Sequence, residues 1–266
     1  MLTDSAERDY LARIASALQA ATVVVREFPR ETIKVTDNGG REVVTEVDHA
    51  ISAVLRQALL TPDEGWLSEE DPDDRARLSQ KVVWIVDPLD GTREFVDGIP
   101  EWCISIGLVV EGVAVAGGVS NPATGELFLG SLSQGVTYNS RPAQACRKTT
   151  LNGALVLASR QEYRRGEWAC FEGRQFSIKP MGSVAYKLAL VSAGLADATW
   201  TLTPKHEWDV AAGVALVRSA GGSVGCIRNA AMQFNRNVTV LPGLAASAPG
   251  IWSDVVQLTR ENEFAA

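Results

Sequence analysis

Residues 84–92, Trp84-Ile85-Val86-Asp87-Pro88-Leu89-Asp90-Gly91-Thr92, place two carboxylates three positions apart directly behind an apolar run. At the end of a buried strand, each carboxylate must be paired, protonated or metal-bound to be tolerated. Pro88 disfavours a helical conformation at Asp87, and Gly91 permits positive φ or close backbone approach. A bend here can aim both carboxylates, and the Leu89 carbonyl between them, at one point. Converging hard oxygens suit Mg²⁺. The same residues also read as a turn whose two Asp side chains cap backbone groups. Three further groups of acids have structural readings of their own. Asp48 or Thr45 is a natural N-cap for the helix that follows. Glu69-Glu70-Asp71 reads as a solvated acidic loop, and Asp209 sits where an N-cap belongs.

These residues need a scaffold, and the pattern around them supplies one. Val82 to Val86 is a β-branched and aromatic run, which predicts a strand buried on both faces. Leu11, Ile14, Leu18, Ala21 and Val25 recur at helical spacing over residues 4–28, opened by Thr3, Asp4 or Ser5. Lys34 and the turn Asn38-Gly39-Gly40 follow, between segments that fit a hairpin. Ile51, Val54, Leu55 and Leu59 mark a second helix. Cys103–Val110 and Val113–Val119 predict two strands joined tightly at Glu111-Gly112. Leu127–Leu129 and 135–139 predict two more, so the first half is two helices and a largely antiparallel sheet. Beyond a polar seam at 141–152, strands are predicted at 155–158, 176–178, 197–202 and 238–241. Helices are predicted after Gly182-Ser183, over 210–220 and from Ser253, with glycines stopping the first two.

The 266 residues fit one large domain or two intimately packed halves. A net charge of −7 argues against nucleic acid or an anionic membrane as partner. An anionic substrate therefore requires something local to reverse the field, which bound divalent cations do. The four Cys form no CxxC pair, which argues against a zinc ribbon and for reduced thiols, and only two His exclude a histidine-rich metal site. No apolar run approaches a membrane span and no export signal is evident, so a cytoplasmic location is expected.

Taken together, Glu69-Glu70, then Asp87-Pro88-Leu89-Asp90-Gly91-Thr92 with Phe95, then Trp208-Asp209-Val210-Ala211-Ala212-Gly213 resemble the inositol monophosphatase superfamily of Mg²⁺-dependent, lithium-sensitive phosphomonoesterases. The resemblance spans nearly the whole chain in order and spacing, whereas P-loop, Rossmann and GxSxG patterns are absent. It implies a layered α-β-α-β-α fold of the mixed α/β class. Residues 1–145 would form the larger-sheet half and 146–266 the smaller, within one compact unit. It implies Glu69, Asp87 and the Leu89 carbonyl as ligands of a first Mg²⁺, and Asp87, Asp90 and Asp209 as ligands of a second, with two or three ions per site. Glu70 competes with Glu69 for the first role. The Gly91 and Thr92 N–H groups match the phosphate cradle, at the opening of a short helix. Asp48 and Thr92 match the pair that orients the attacking water, and Glu69 joins them as a catalytic residue.

Within the superfamily, residues 66–71 and Leu89 with Arg93-Glu94-Phe95 look most like the bacterial CysQ-type 3′(2′),5′-bisphosphate nucleotidases, which convert adenosine 3′,5′-bisphosphate to AMP and phosphate. Ser183 and Lys187 fall in the segment that holds the second phosphate there, although Gly182–Lys187 is one residue longer than that pattern. The alternatives are an inositol-1-monophosphatase or a broad sugar-phosphate phosphatase, including histidinol phosphate and fructose bisphosphate. A catalytically silent binding module is the remaining alternative, and its signature would be a missing carboxylate. The partner expected is a small-molecule phosphate ester, with no nucleic acid and no membrane, and the resemblance allows a homodimer.

Overall fold

The computed structural model describes residues 2–28, 35–37, 43–227 and 231–261. Lys34 and the Asn38-Gly39-Gly40 turn lie outside them. The chain opens with helix α1 (Asp4–Arg26), capped by the Thr3 hydroxyl oxygen, which accepts from Ala6 N–H at 3.2 Å. Strands β1 (Val35–Asp37) and β2 (Val43–Thr45) pair antiparallel. Helix α2 (Glu46–Leu59) follows, with Thr45 as its N-cap and Asp48 as the reciprocal partner in a capping box. β3 (Gly65–Ser68), β4 (Val82–Asp90), the short α3 (Thr92–Val96), β5 (Cys103–Val110), β6 (Val113–Asn121), β7 (Glu126–Ser131), β8 (Gly135–Tyr138) and β9 (Arg141–Ala143) come next. After the seam come β10 (Leu155–Ser159), α4 (Arg160–Arg164), β11 (Ser177–Met181), α5 (Val184–Ser192), β12 (Ala198–Thr201), β13 (Lys205–His206) and α6 (Glu207–Ser219). The chain closes with β14 (Ser223–Cys226), β15 (Val240–Leu241), β16 (Leu244–Ser247) and α7 (Trp252–Glu261).

Among the described residues, β3 to β9 form a seven-stranded sheet in sequence order, antiparallel except for the parallel β3–β4 pair. The β5–β6 turn is tight because Glu111 and Gly112 both adopt positive φ, +50° and +82°. The second sheet runs β11-β10-β12-β16-β14, and its first three strands are parallel. Helices α1 and α2 cover one face of the large sheet through Ile14, Leu18, Ile51 and Leu55. Helices α5 and α6 lie between the two sheets around Leu188, Val210, Val214 and Leu216. Helix α7 packs outside the smaller sheet through Val255 and Leu258. The layers are therefore α-β-α-β-α.

Several sequence expectations shift. The 238–241 strand shortens to β15, which among the described residues pairs only with β13, while Val238 is exposed. β14 and β16 arise where no strand was expected, because Leu244-Ala245-Ala246-Ser247 carries small residues without alternation. The helix cap expected at Asp209 is instead His206, and Asp209 is the third helical residue, reaching back to the His206 N–H at 2.8 Å.

Glycines set how close α6 lies to the large sheet. A Cβ on Gly117 would stand 2.5 Å from the Ala212 carbonyl oxygen, and one on Gly107 would stand 2.7 Å from the Ala211 Cβ. On its other side, Gly213 admits Leu188 of α5. Gly117→Ala therefore forces α6 outward. Overpacking of this kind costs about 1–3 kcal/mol, which urea denaturation would register as a lower midpoint at unchanged m.

Candidate active site

β4 runs into the site. Its register with β5 shifts between Asp87 and Asp90, so the Pro88 bend is a bulge within the strand. Asp87 is buried, and its Oδ1 accepts the Leu89 N–H at 3.0 Å, which ties the carboxylate to the bulge. Gly91 sits at φ +100°, and a Cβ there would meet the Glu101 carbonyl at 3.0 Å. Only glycine fits both constraints. The turn leads into α3, in whose first turn the backbone N–H groups have no intrahelical acceptor.

Asp48 stands behind this turn on α2. Its Oδ2 accepts the Thr45 N–H at 2.8 Å, and its Oδ1 accepts from the Thr92 hydroxyl at 3.2 Å. The same hydroxyl lies 3.0 Å from the Leu89 carbonyl oxygen. Burial pushes the Asp48 carboxyl above its ordinary range, against the Thr45 and Thr92 bonds that pull it down. Its capping and catalytic readings are compatible, since each uses a different oxygen.

The parallel β3–β4 pairing brings Glu69 beside Asp87, with the Glu69 N–H on the Val86 carbonyl at 3.3 Å. Glu69 lines the cleft, whereas the Glu70 carboxylate lies 3.5 Å from the His49 imidazole. From the second half, α6 brings Asp209. Its Oδ2 holds the His206 N–H, and the His206 ring stacks on Trp208 at 4.3 Å between centroids. Asp90 reaches toward α5, and its Oδ2 accepts from the Ser183 hydroxyl at 2.7 Å and from the Ala185 N–H at 2.6 Å.

One cleft therefore collects Glu69, Asp87, Leu89, Asp90, Gly91, Thr92, Ser183, Lys187 and Asp209. Burial, then the charges of Asp209, Glu70 and Asp90, push the Glu69 carboxyl up to about 9. Asp87 is driven well above its usual range by burial and then by Glu69, Asp90 and Asp209. Burial also raises Asp90, against the pull of Ser183 and Ala185. Carboxylates that cannot ionise together are the expected state of a cation site without its cation. Among the described residues, no three His, Cys, Asp or Glu side chains are gathered closely enough to hold an ion as they stand. The donor set itself, four carboxylates and a carbonyl with no soft ligand, fits Mg²⁺.

Lys187 has a different place from the one expected of a second-phosphate ligand. It is buried, and its ammonium donates to the carbonyls of Ser183 at 2.7 Å, Gly182 at 3.1 Å and Met181 at 3.4 Å. Three N–H bonds are spent on three carbonyls, which leaves none for a phosphate. Two cations that the sequence reading passed over line the cleft instead. Arg160, held by Glu94 and Glu101, starts α4, and Lys205 lies on β13. The only signal for Arg160 is a charge directly behind the apolar run of β10, and Lys205 has none beyond its closeness to Asp209.

The inositol monophosphatase family model matches residues 6–260. The chain belongs to the inositol monophosphatase family. A Mesembryanthemum crystallinum protein named inositol monophosphatase is 31% identical over 269 aligned positions, covering 96% of this chain and 97% of that one. A Xylella fastidiosa protein named Nus factor SuhB is 32% identical over 221, covering 79% of each. The crystal structure of the suppressor protein suhB from Bartonella henselae superposes with a TM-score of 0.80 at 26% identity, covering 94% of this chain and 98% of that one. Inositol monophosphatase family members are metal-dependent hydrolases of small phosphate monoesters, and this chain is a phosphatase of that kind. No helix among its described residues is long and apolar enough to cross a membrane.

Proposed function

We propose that Glu69, Asp87, the Leu89 carbonyl, Asp90 and Asp209 hold Mg²⁺, and that the preferred ester carries a second anionic group. Adenosine 3′,5′-bisphosphate is the first candidate. The observation that carries this reading is that Arg93, Lys205 and Arg160, the last also held by Glu94 and Glu101, line the same cleft as Glu69, Asp87, Asp90 and Asp209 in a chain whose net charge is −7. Cations lining the cleft are superfluous for a neutral leaving group and useful for a charged one.

Bound Mg²⁺ lowers the pKa of water from about 16 toward neutrality and offsets phosphate charge. The protein groups do the rest. Gly91 and Thr92 present N–H groups to the phosphoryl oxygens. The Thr92 hydroxyl donates to Asp48 Oδ1 and so turns its oxygen lone pair toward the attacking water. Asp48, with its raised carboxyl, accepts the proton along that path. Thr92→Val breaks the path while keeping the shape. Its kcat should fall by roughly 100-fold, the lower end for loss of a positioned acid–base group, with KM little changed in steady-state assays.

The second reading is inositol 1-phosphate or a broader set of sugar phosphates, favoured by the relatives named inositol monophosphatase. A silent binding module is disfavoured because every expected carboxylate is in the cleft. Phosphate release from adenosine 3′,5′-bisphosphate and inositol 1-phosphate, measured side by side with and without Mg²⁺, separates the readings. The bisphosphate should give the higher kcat/KM. Comparable values would reduce the specificity to that of a general phosphomonoesterase, and no release from either would favour the silent module.

A further inference from the structure

Ser183 is a non-glycine residue at φ +52°, ψ 120°, a conformation that persists only where its surroundings hold it. It lies one residue ahead of α5, and its hydroxyl performs two tasks. It accepts the Tyr186 N–H at 3.0 Å, capping the helix, and donates to Asp90 Oδ2. The turn before it is gripped from both sides. Gly182 N–H donates to Glu101 Oε2 at 2.9 Å, and any Cβ on Gly182 would collide with the Glu94 side chain and the Glu101 carbonyl. From inside, Lys187 reaches back along its own helix to three successive carbonyls.

A lysine buried to 2% exposure is costly to desolvate, and an apolar side chain would fill the same space at lower cost. Its ammonium forms no ion pair within 4.0 Å among the described residues. What it does satisfy is the backbone of Met181, Gly182 and Ser183, the segment that must stay in this conformation for Ser183 and Ala185 to meet Asp90. Two donors on Asp90 Oδ2 leave Oδ1 as the oxygen available to a cation.

We infer that Lys187 is a positioning residue, which locks the 181–183 turn so that Ser183 and Ala185 orient Asp90 with Oδ1 toward the metal. This assignment rests on Asp90 being a metal ligand. It makes the second half of the chain responsible for aiming a carboxylate that the first half supplies. It also gives Lys187 a role distinct from contact with the second phosphate of the substrate.

The test compares Lys187→Met, Ser183→Ala and Asp90→Asn with the wild type, by isothermal titration of Mg²⁺ into the metal-free protein and by kcat and KM for adenosine 3′,5′-bisphosphate. Lys187→Met keeps the stem and removes the three donors. Its Mg²⁺ affinity should fall by about 10-fold and its kcat should drop, with KM unchanged within about twofold. This is the size of effect typical of groups that orient metal ligands. Ser183→Ala should move the same way by less, and it decides the matter should Lys187→Met fail to fold. Weakened Mg²⁺ binding in Asp90→Asn with no change in the other two overturns the positioning role and leaves the metal reading intact. A raised KM in Lys187→Met at unchanged Mg²⁺ affinity overturns it in favour of substrate contact. Unchanged Mg²⁺ affinity in Asp90→Asn removes the ligand reading itself, and the inference with it.

Discussion

Asp87→Asn lowers kcat at saturating Mg²⁺ by at least ~100-fold, about 3 kcal/mol of transition-state stabilisation, the scale of losing one fixed electrostatic group in a closed site. The substitution is nearly isosteric. The amide oxygen can keep the Leu89 N–H bond that Oδ1 now accepts, and the amide nitrogen can donate to Glu69. What disappears is the charge. Asp87 is pressed by burial and by Glu69, Asp90 and Asp209 together. In EDTA, therefore, the variant should be at least as thermally stable as the wild type, because it removes a buried carboxyl that folds only by keeping a proton the unfolded chain releases. Loss of turnover without loss of Tm separates a ligand from a packing residue. Turnover close to wild type would remove Asp87, and with it the metal site, from the mechanism.

The thermal stabilisation conferred by Mg²⁺ should grow as pH rises from about 6 to about 8.5. In the metal-free protein Glu69 is held protonated up to about 9, against an ordinary value of 4.5, and Asp87 is also raised. Between those limits the unfolded chain has released protons that the folded, metal-free chain keeps. The folded state thus binds more protons, and this contribution to its stability falls as pH increases. Cation binding requires the ionised carboxylates and expels those protons, so it gains strength over the same interval. Melting curves in Mg²⁺ and in EDTA at the two pH values give the difference directly, and groups elsewhere in the chain cancel from it. A pH-independent difference would mean that the cluster does not take up the ion.

Much of this scaffold can be read locally. The apolar run of β4, the stripes of α1 and α2, the Thr45 cap and the Glu111-Gly112 turn each depend on residues a few positions apart. Their patterns report burial without knowledge of the partner. The carboxylates were legible mainly through their resemblance to a family, since each also had an adequate structural reading. Asp48 illustrates this, because its capping bond and its bond to Thr92 use different oxygens of one group.

The family, the candidate acids and most of the helices and strands around them were legible in the order of the amino acids, the elements because periodicity, caps and turns are short-range properties and the acids because their motifs resemble those of a family. The tertiary structure alone decided that small-residue segments such as β16 become central strands, that Gly107 and Gly117 let α6 press Asp209 toward the sheet, and that Lys187 turns inward to three carbonyls. Lys187 bonds carbonyls of its own turn, but its burial there, like the other two outcomes, depends on surfaces meeting across about a hundred residues of chain, as Asp90 and Ser183 do. Contact at that range is set by how the layers pack, and no local pattern carries it.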